Sequence, residues 1–186
     1  MSFRDLRSFL GNLEAVGQLK RVRAEVDPRF EVAEIAQRVV REEGAALLFE
    51  RVKGSRYPIA INFFGSFARI ERAIGMHPEA LGERLVRFAE ELNPPSPSRL
   101  WGARDLLPRL LAFRPVRIGR AASQEIAAAP DLGALPVITC WPQDAGPFIT
   151  FPLVVSRHPT KGKSNVGIYR MQVFDAASTG MHWQIH

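Results

Sequence analysis

Asn165, Arg170, Gln184 and His186 place two amides, a guanidinium and an imidazole within 22 residues of mostly apolar sequence, NVGIYRMQVFDAASTGMHWQIH. Amide oxygens and imidazoles hold cations, and a guanidinium holds phosphate or carboxylate. His182 and His186 are four apart, a spacing that on a helix makes a metal pair. MHWQIH alternates after a Gly-ended turn, however, and reads as a strand, where residues four apart stand roughly 13 Å from each other. On that reading the two imidazoles cannot share one ion. His182, Gln184 and His186 share one face, and Met181, Trp183 and Ile185 fill the other. His186 is then either a metal ligand or a polar strand residue.

Arg170 lies among Ile168, Tyr169, Met171 and Val173, where a cation is costly unless paired. Its partner is a phosphate, a carboxylate or a structural ion pair. Asn165 follows the Lys161-Gly162-Lys163-Ser164 turn and is open to plain turn chemistry. Strand parity puts Asn165 and Arg170 on opposite faces, so one site takes both only around an edge, a bulge or a bound cofactor. A second dense stretch is Leu135–Thr150, LPVITCWPQDAGPFIT. Its prolines force an irregular path, Asp144-Ala145-Gly146 offers backbone amides to an anion, and Thr150 adds a hydroxyl. The alternative is a packed interdomain loop plugged by Trp141, with Cys140 an inert buried thiol.

These residues need strands to hold them. Phe148–Arg157, Asn165–Phe174 and Met181–His186 read as consecutive strands, joined by turns at His158–Lys163 and Asp175–Gly180. Ahead of them lies an α/β layer of about a hundred residues. Phe3, Leu6, Phe9, Leu10, Leu13 and Val16 repeat at helical spacing, with Ser2 and Asp5 as a capping start and Gly17 as the stop. Residues 18–26 read as a strand. Pro28 opens a helix burying Val32, Ile35, Ala36, Val39 and Val40 and closed by Gly44. Ala46–Val52 and Pro58–Phe64 read as strands, and Pro78 starts a helix with Leu81, Leu85, Phe88, Ala89 and Leu92 on one face. Asn93–Ser98 is a proline-rich break, and Trp101–Phe113 reads as a further helix. The expected division is residues 1–113 and 114–186.

A single cysteine excludes an intrachain disulfide framework and fits a reducing cytoplasm. No apolar run reaches the roughly 20 residues of a membrane span, so no integral membrane segment is expected. The net charge of +6 comes from scattered residues, only four of the 25 cations being Lys. That is no nucleic-acid footprint.

At LPVITCWPQDAGPFIT and NVGIYRMQVFD…TGMHWQIH, and in the opening FRDLRSFLGNLEAVGQLKRV…EVDP, the chain resembles the UbiD-type decarboxylases, the polyprenyl-4-hydroxybenzoate carboxy-lyase family. The resemblance implies an α/β N-terminal domain followed by the first strands of a split β-barrel that holds prenylated FMN. It implies a reversible, non-oxidative decarboxylase of aromatic or α,β-unsaturated acids, with quinone biosynthesis as one setting. Asn165 and His186 would then bind a divalent metal, usually manganese, at the flavin phosphate. Thr150, Ile168 and Gln184 would line the flavin, and Arg170 would serve catalysis at its reactive face. A flavin prenyltransferase would supply the cofactor, and the full-length protein would be a homo-oligomer. Family members run to more than twice this length, so the proton-donating glutamate, another metal-binding glutamate and a potassium site are expected downstream. The 186 residues alone are not expected to decarboxylate. Two other readings remain open: a non-catalytic, partner-dependent assembly module, and an FMN-binding split-barrel oxidoreductase.

Overall fold

The computed structural model describes residues 3–92, 116 and 118–182. The expected break at Asn93–Ser98, the helix at Trp101–Phe113, and Gln184 and His186 lie outside the described residues. The chain is of mixed α/β class, and its residues group into two compact units. One comprises Phe3–Arg69 and Pro130–His186, the other Met1–Ser2 and Ile70–Ala129.

In the larger unit, helix α1 (Leu6–Ala15) leads into strand β1 (Leu19–Val26). The cap is Asp5, not Ser2: its carboxylate accepts from the Ser8 amide at 2.8 Å, and Ser8 Oγ accepts from the Asp5 amide at 3.2 Å. That reciprocal pair satisfies two donors at the helix start. Leu13 and Phe9 turn inward, and Gly17 ends the helix at φ +71°. Helix α2 (Glu31–Arg41) then returns the chain to strand β2 (Ala46–Val52), which pairs parallel with β1. Short strand β3 (Ile59–Ile61) adds antiparallel to β2, so the sheet order is β1-β2-β3. Val26, Val32, Leu47, Phe49 and Val52 form the buried core, with Ile35, Val39, Ile59, Ile61 and Ile138 packed against it.

Pro28 does not open α2. The Asp27 carboxylate accepts from the Arg29 amide at 2.8 Å, and the Phe30 amide donates to the Thr139 carbonyl at 2.9 Å. That long-range pairing keeps residues 28–30 outside the helix, which starts at Glu31 with Phe30 at φ +69°. Val40, expected inside, is 52% exposed.

Helix α3 (Phe67–Ile74), which apolar periodicity had not marked, begins in this unit and carries Arg69, only 1% exposed. Helix α4 (Pro78–Leu92) belongs to the smaller unit and starts at Pro78 as expected. Leu85 and Val86 are exposed on it. Among the described residues no helix is long and apolar enough to cross a membrane.

The strands that follow are shorter than the apolar runs suggest. Phe148–Arg157 divides into β4 (Phe148–Ile149) and β5 (Leu153–Arg157), and Asn165–Phe174 into β6 (Ser164–Ile168) and β7 (Met171–Val173). With β8 (Thr179–Met181), they form a three-stranded sheet β4-β7-β8 and a two-stranded ribbon β5-β6. Each long run thus leaves one sheet and enters the other. The described strands do not by themselves show a barrel. Ile138 bridges to Phe148, and Thr139 to Arg29, which stitches this region onto the α/β core.

Candidate functional site

Arg170 occupies the break between β6 and β7 rather than the middle of one strand. Parity therefore does not relate it to Asn165, because the alternation restarts when the chain changes sheet. The guanidinium lies over the Phe148 ring, its Cζ 3.7 Å from the centroid. Arg170 Nη2 donates to Asp144 Oδ2 at 2.7 Å. Of the partners foreseen for this cation, the structure supplies a carboxylate from the chain itself.

Phe148 is held from two directions. Its amide donates to the Ile138 carbonyl at 2.9 Å, and it pairs with Gln172 across β4 and β7. Asp144 is fixed just as firmly. Its own amide closes the turn onto the Trp141 carbonyl at 3.0 Å, and its carboxylate accepts from the Trp141 amide at 3.2 Å. The Arg170 guanidinium, and then the Trp141 and Cys140 amides, hold that carboxyl below its ordinary range against the opposing effect of desolvation. In the 141–144 turn the group that meets Arg170 is thus a carboxylate.

Asn165, in β6 opposite Ser156, donates from Nδ2 to the Tyr169 hydroxyl at 3.2 Å. A Cβ at Gly167 would lie 2.5 Å from Tyr169 Cε2, so only glycine admits the ring that reaches back to Asn165. This bond uses the amide nitrogen and not the hard oxygen, Oδ1. Ile168 is 54% exposed and pairs with Leu153, itself 73% exposed. Val155 pairs with Val166 on the same face, so the ribbon presents four exposed apolar side chains in two cross-strand pairs. Thr150 is exposed between β4 and β5, beside Phe151.

The structure therefore brings together Arg170, Asp144 and Phe148, and separately Asn165 and Tyr169. It places Thr150 and Ile168 at exposed strand ends, with Gln184 and His186 outside the described residues. Among the described residues no group of three His, Cys, Asp or Glu is arranged to hold a metal. Sequence reasoning missed the Asp144 carboxylate and the Phe148 ring. A signal for Asp144 existed: it is the one acid between Leu132 and Phe174, the run that contains Arg170.

Two family models match this chain. The 3-octaprenyl-4-hydroxybenzoate carboxy-lyase N-terminal domain covers residues 10–89, and the Rift-related domain of the same carboxy-lyase covers residues 114–186. An uncharacterized protein of Archaeoglobus fulgidus is 45% identical over 187 residues, covering 100% of this chain and 38% of that protein. An evolved dimeric form of the UbiD-class enzyme HmfF from Pelotomaculum thermopropionicum, in complex with prFMN, superposes with a TM-score of 0.71 at 29% identity. The match covers 98% of this chain and 39% of that one. Vanillic acid decarboxylase of Sedimentibacter hydroxybenzoicus, in its open form, superposes at 0.69 with 28% identity, over 97% of this chain and 38% of that one. The chain thus spans about two fifths of the length of these relatives.

Proposed function

The chain belongs to the UbiD carboxy-lyase family, as its N-terminal portion, and from that premise we propose that it contributes the carboxylate-binding arginine of a flavin-dependent decarboxylase. The substrate class is an aromatic or α,β-unsaturated carboxylic acid. The observation that carries the reading is Arg170: a half-exposed cation stacked on Phe148 and tied by one nitrogen to Asp144, with its other donors turned to no protein partner among the described residues. Such a cation can hold a substrate carboxylate by charge-assisted hydrogen bonds.

The residues at hand suit the implied cofactor in part. The Asn165 amide oxygen is a hard donor left open by the Nδ2 bond to Tyr169, as a divalent cation such as manganese requires. With His186 it would hold the metal at a flavin phosphate, while Thr150, Ile168 and Gln184 would line the ring. The exposed apolar pair Leu153 and Ile168 offers a flat surface suited to an aromatic face. When bound, a prenylated flavin supplies the electron sink that loss of carbon dioxide demands. Arg170 orients the leaving carboxylate, and Phe148 keeps the guanidinium plane from tilting. The proposed division is residues 1–113 as the N-terminal domain and 114–186 as the start of the cofactor domain.

The test is a protein extended beyond His186, produced together with a flavin prenyltransferase. It is expected to carry the modified flavin and to exchange ¹³C-bicarbonate into vanillate or 3,4-dihydroxybenzoate, and Arg170→Ala is expected to abolish exchange while retaining flavin. A preparation that binds no flavin would refute the reading. Binding of unmodified FMN with electron transfer from a nicotinamide would replace it with an oxidoreductase.

A further inference from the structure

We propose that Asp144 is a positioning residue that aims the Arg170 guanidinium and leaves one of its two bidentate edges whole for an incoming carboxylate; this rests on the decarboxylase reading. A guanidinium presents five N–H groups in a plane, arranged as two forked edges, Nε with Nη2 and Nη1 with Nη2. Asp144 Oδ2 engages Nη2 at 2.7 Å, and no other hydrogen-bond partner meets Arg170 among the described residues. One Nη2 hydrogen is consumed, so whichever edge it belongs to, the other stays complete.

The anchor is rigid because the acid does not depend on Arg170 for its position. Its side chain is 13% exposed, against 41% for Arg170. The Trp141 amide holds the same Oδ2 at 3.2 Å, and the backbone turn is closed by Asp144 N on the Trp141 carbonyl. Phe148 fixes the guanidinium plane from below at 3.7 Å. A ring contact sets the plane but leaves rotation within it free, whereas a hydrogen bond at one corner stops that rotation. Two restraints of different kind therefore define one orientation. The same acid neutralises Arg170, so a bound carboxylate is held by geometry more than by net charge, which favours release after turnover.

The inference separates positioning from simple attraction. Without the Asp144 charge, Arg170 should attract anions at least as well but orient them worse. In the extended enzyme, Asp144→Asn is expected to lower kcat by roughly 10- to 100-fold while KM for the acid stays level or falls, with partial rescue by Asp144→Glu. A raised KM with unchanged kcat would overturn the proposal, as would no change in either.

A second readout needs neither cofactor nor turnover. In ¹⁵N spectra of the 186-residue chain, the Arg170 Nη2–H resonance, assigned with Arg170→Lys, should be protected from exchange in the wild type and lost in Asp144→Asn. Benzoate should shift it without releasing Asp144. An unchanged resonance in Asp144→Asn, or displacement of Asp144 by benzoate, refutes the positioning role. Because this arm is independent of decarboxylation, an inactive wild-type enzyme would refute the function while leaving the role of Asp144 decided.

Discussion

Arg69 is the most exacting test of the fold. The residue is 1% exposed, and among the described residues its guanidinium meets no carboxylate, only Gln18 Oε1 and the Gly44 carbonyl, each at 3.1 Å. Its Nε has no hydrogen-bond partner among the described residues, and burial pulls its pKa below the ordinary arginine value. The cation has lost more water than it has gained in partners. What it holds is the junction of three turns: Gln18 after α1, Gly44 after α2, and its own helix after β3. Asn62, at φ +58°, supports the same point by donating to the Gly44 and Ala45 carbonyls at 3.0 and 3.3 Å. Gly65 leaves room for it, since a Cβ there would overlap Asn62 Oδ1.

Truncating Arg69 to Ala removes two hydrogen bonds to a charged donor, each worth about 1.5–3 kcal/mol, and leaves the half-buried Gln18 Oε1 without that donor. Gly44 keeps its bond from Asn62. Relief of the buried charge offsets part of this, so the net loss should be about 2–4 kcal/mol. In a chain of this size that lowers Tm by roughly 5–15 °C. Arg69→Met, which keeps the bulk of the stem but not the bonds, should lose about half as much, and adding Gln18→Leu should recover most of it. Urea unfolding followed by far-UV circular dichroism measures all three, with the denaturant slope unchanged if only the native state is affected. Arg69→Met as stable as the wild type would refute the reasoning, because burying the cation would then cost as much as its bonds return.

Gly167→Ala should push the Tyr169 ring aside, break its bond to Asn165 and destabilise the chain by about 1–3 kcal/mol, visible as a changed tyrosine signal in near-UV circular dichroism. The hairpin between β5 and β6 is tied at its tip by His158 Nδ1, which accepts from the Thr160 and Lys161 amides at 3.2 and 3.1 Å. His158→Ala should speed exchange of those two amides several-fold, for a net bond of about 1 kcal/mol. Acid should loosen the Asp175 turn, where that carboxylate accepts from the Ala177 and Ser178 amides at 2.8 Å and from Ser178 Oγ. The Ser178 hydroxyl foremost, and then these amides, lower its folded pKa, so its contribution is full above the unfolded carboxylate value and fades as pH falls through the depressed one. Asp175→Asn should flatten that acid limb in a pH series of thermal melts, and an unaltered limb would count against it.

Local chemistry was enough to read the elements whose ends are marked by residue type. The strand Ala46–Val52, the stop of α1 at Gly17 and the start of α4 at Pro78 all follow from short-range rules of apolar run, glycine and proline. Membership of the carboxy-lyase family was likewise written in three local stretches of sequence. The pairing of Arg170 with Asp144 was not, though a lone acid in the right run hinted at it. Sequence showed that an arginine amid apolar residues needs an anion, and only the fold chose which. The reason is that apolar alternation reports burial and not partnership. Apolar residues continue on both sides of Tyr169 and Arg170, Ile168 before and Met171 after, although the chain there leaves the β5-β6 ribbon for the β4-β7-β8 sheet. Strand ends, the buried Arg69 and the delayed start of α2 were set by hydrogen bonds with residues tens of positions away, such as Phe30 to Thr139 and Arg69 to Gln18. Those contacts exist only once the chain has folded.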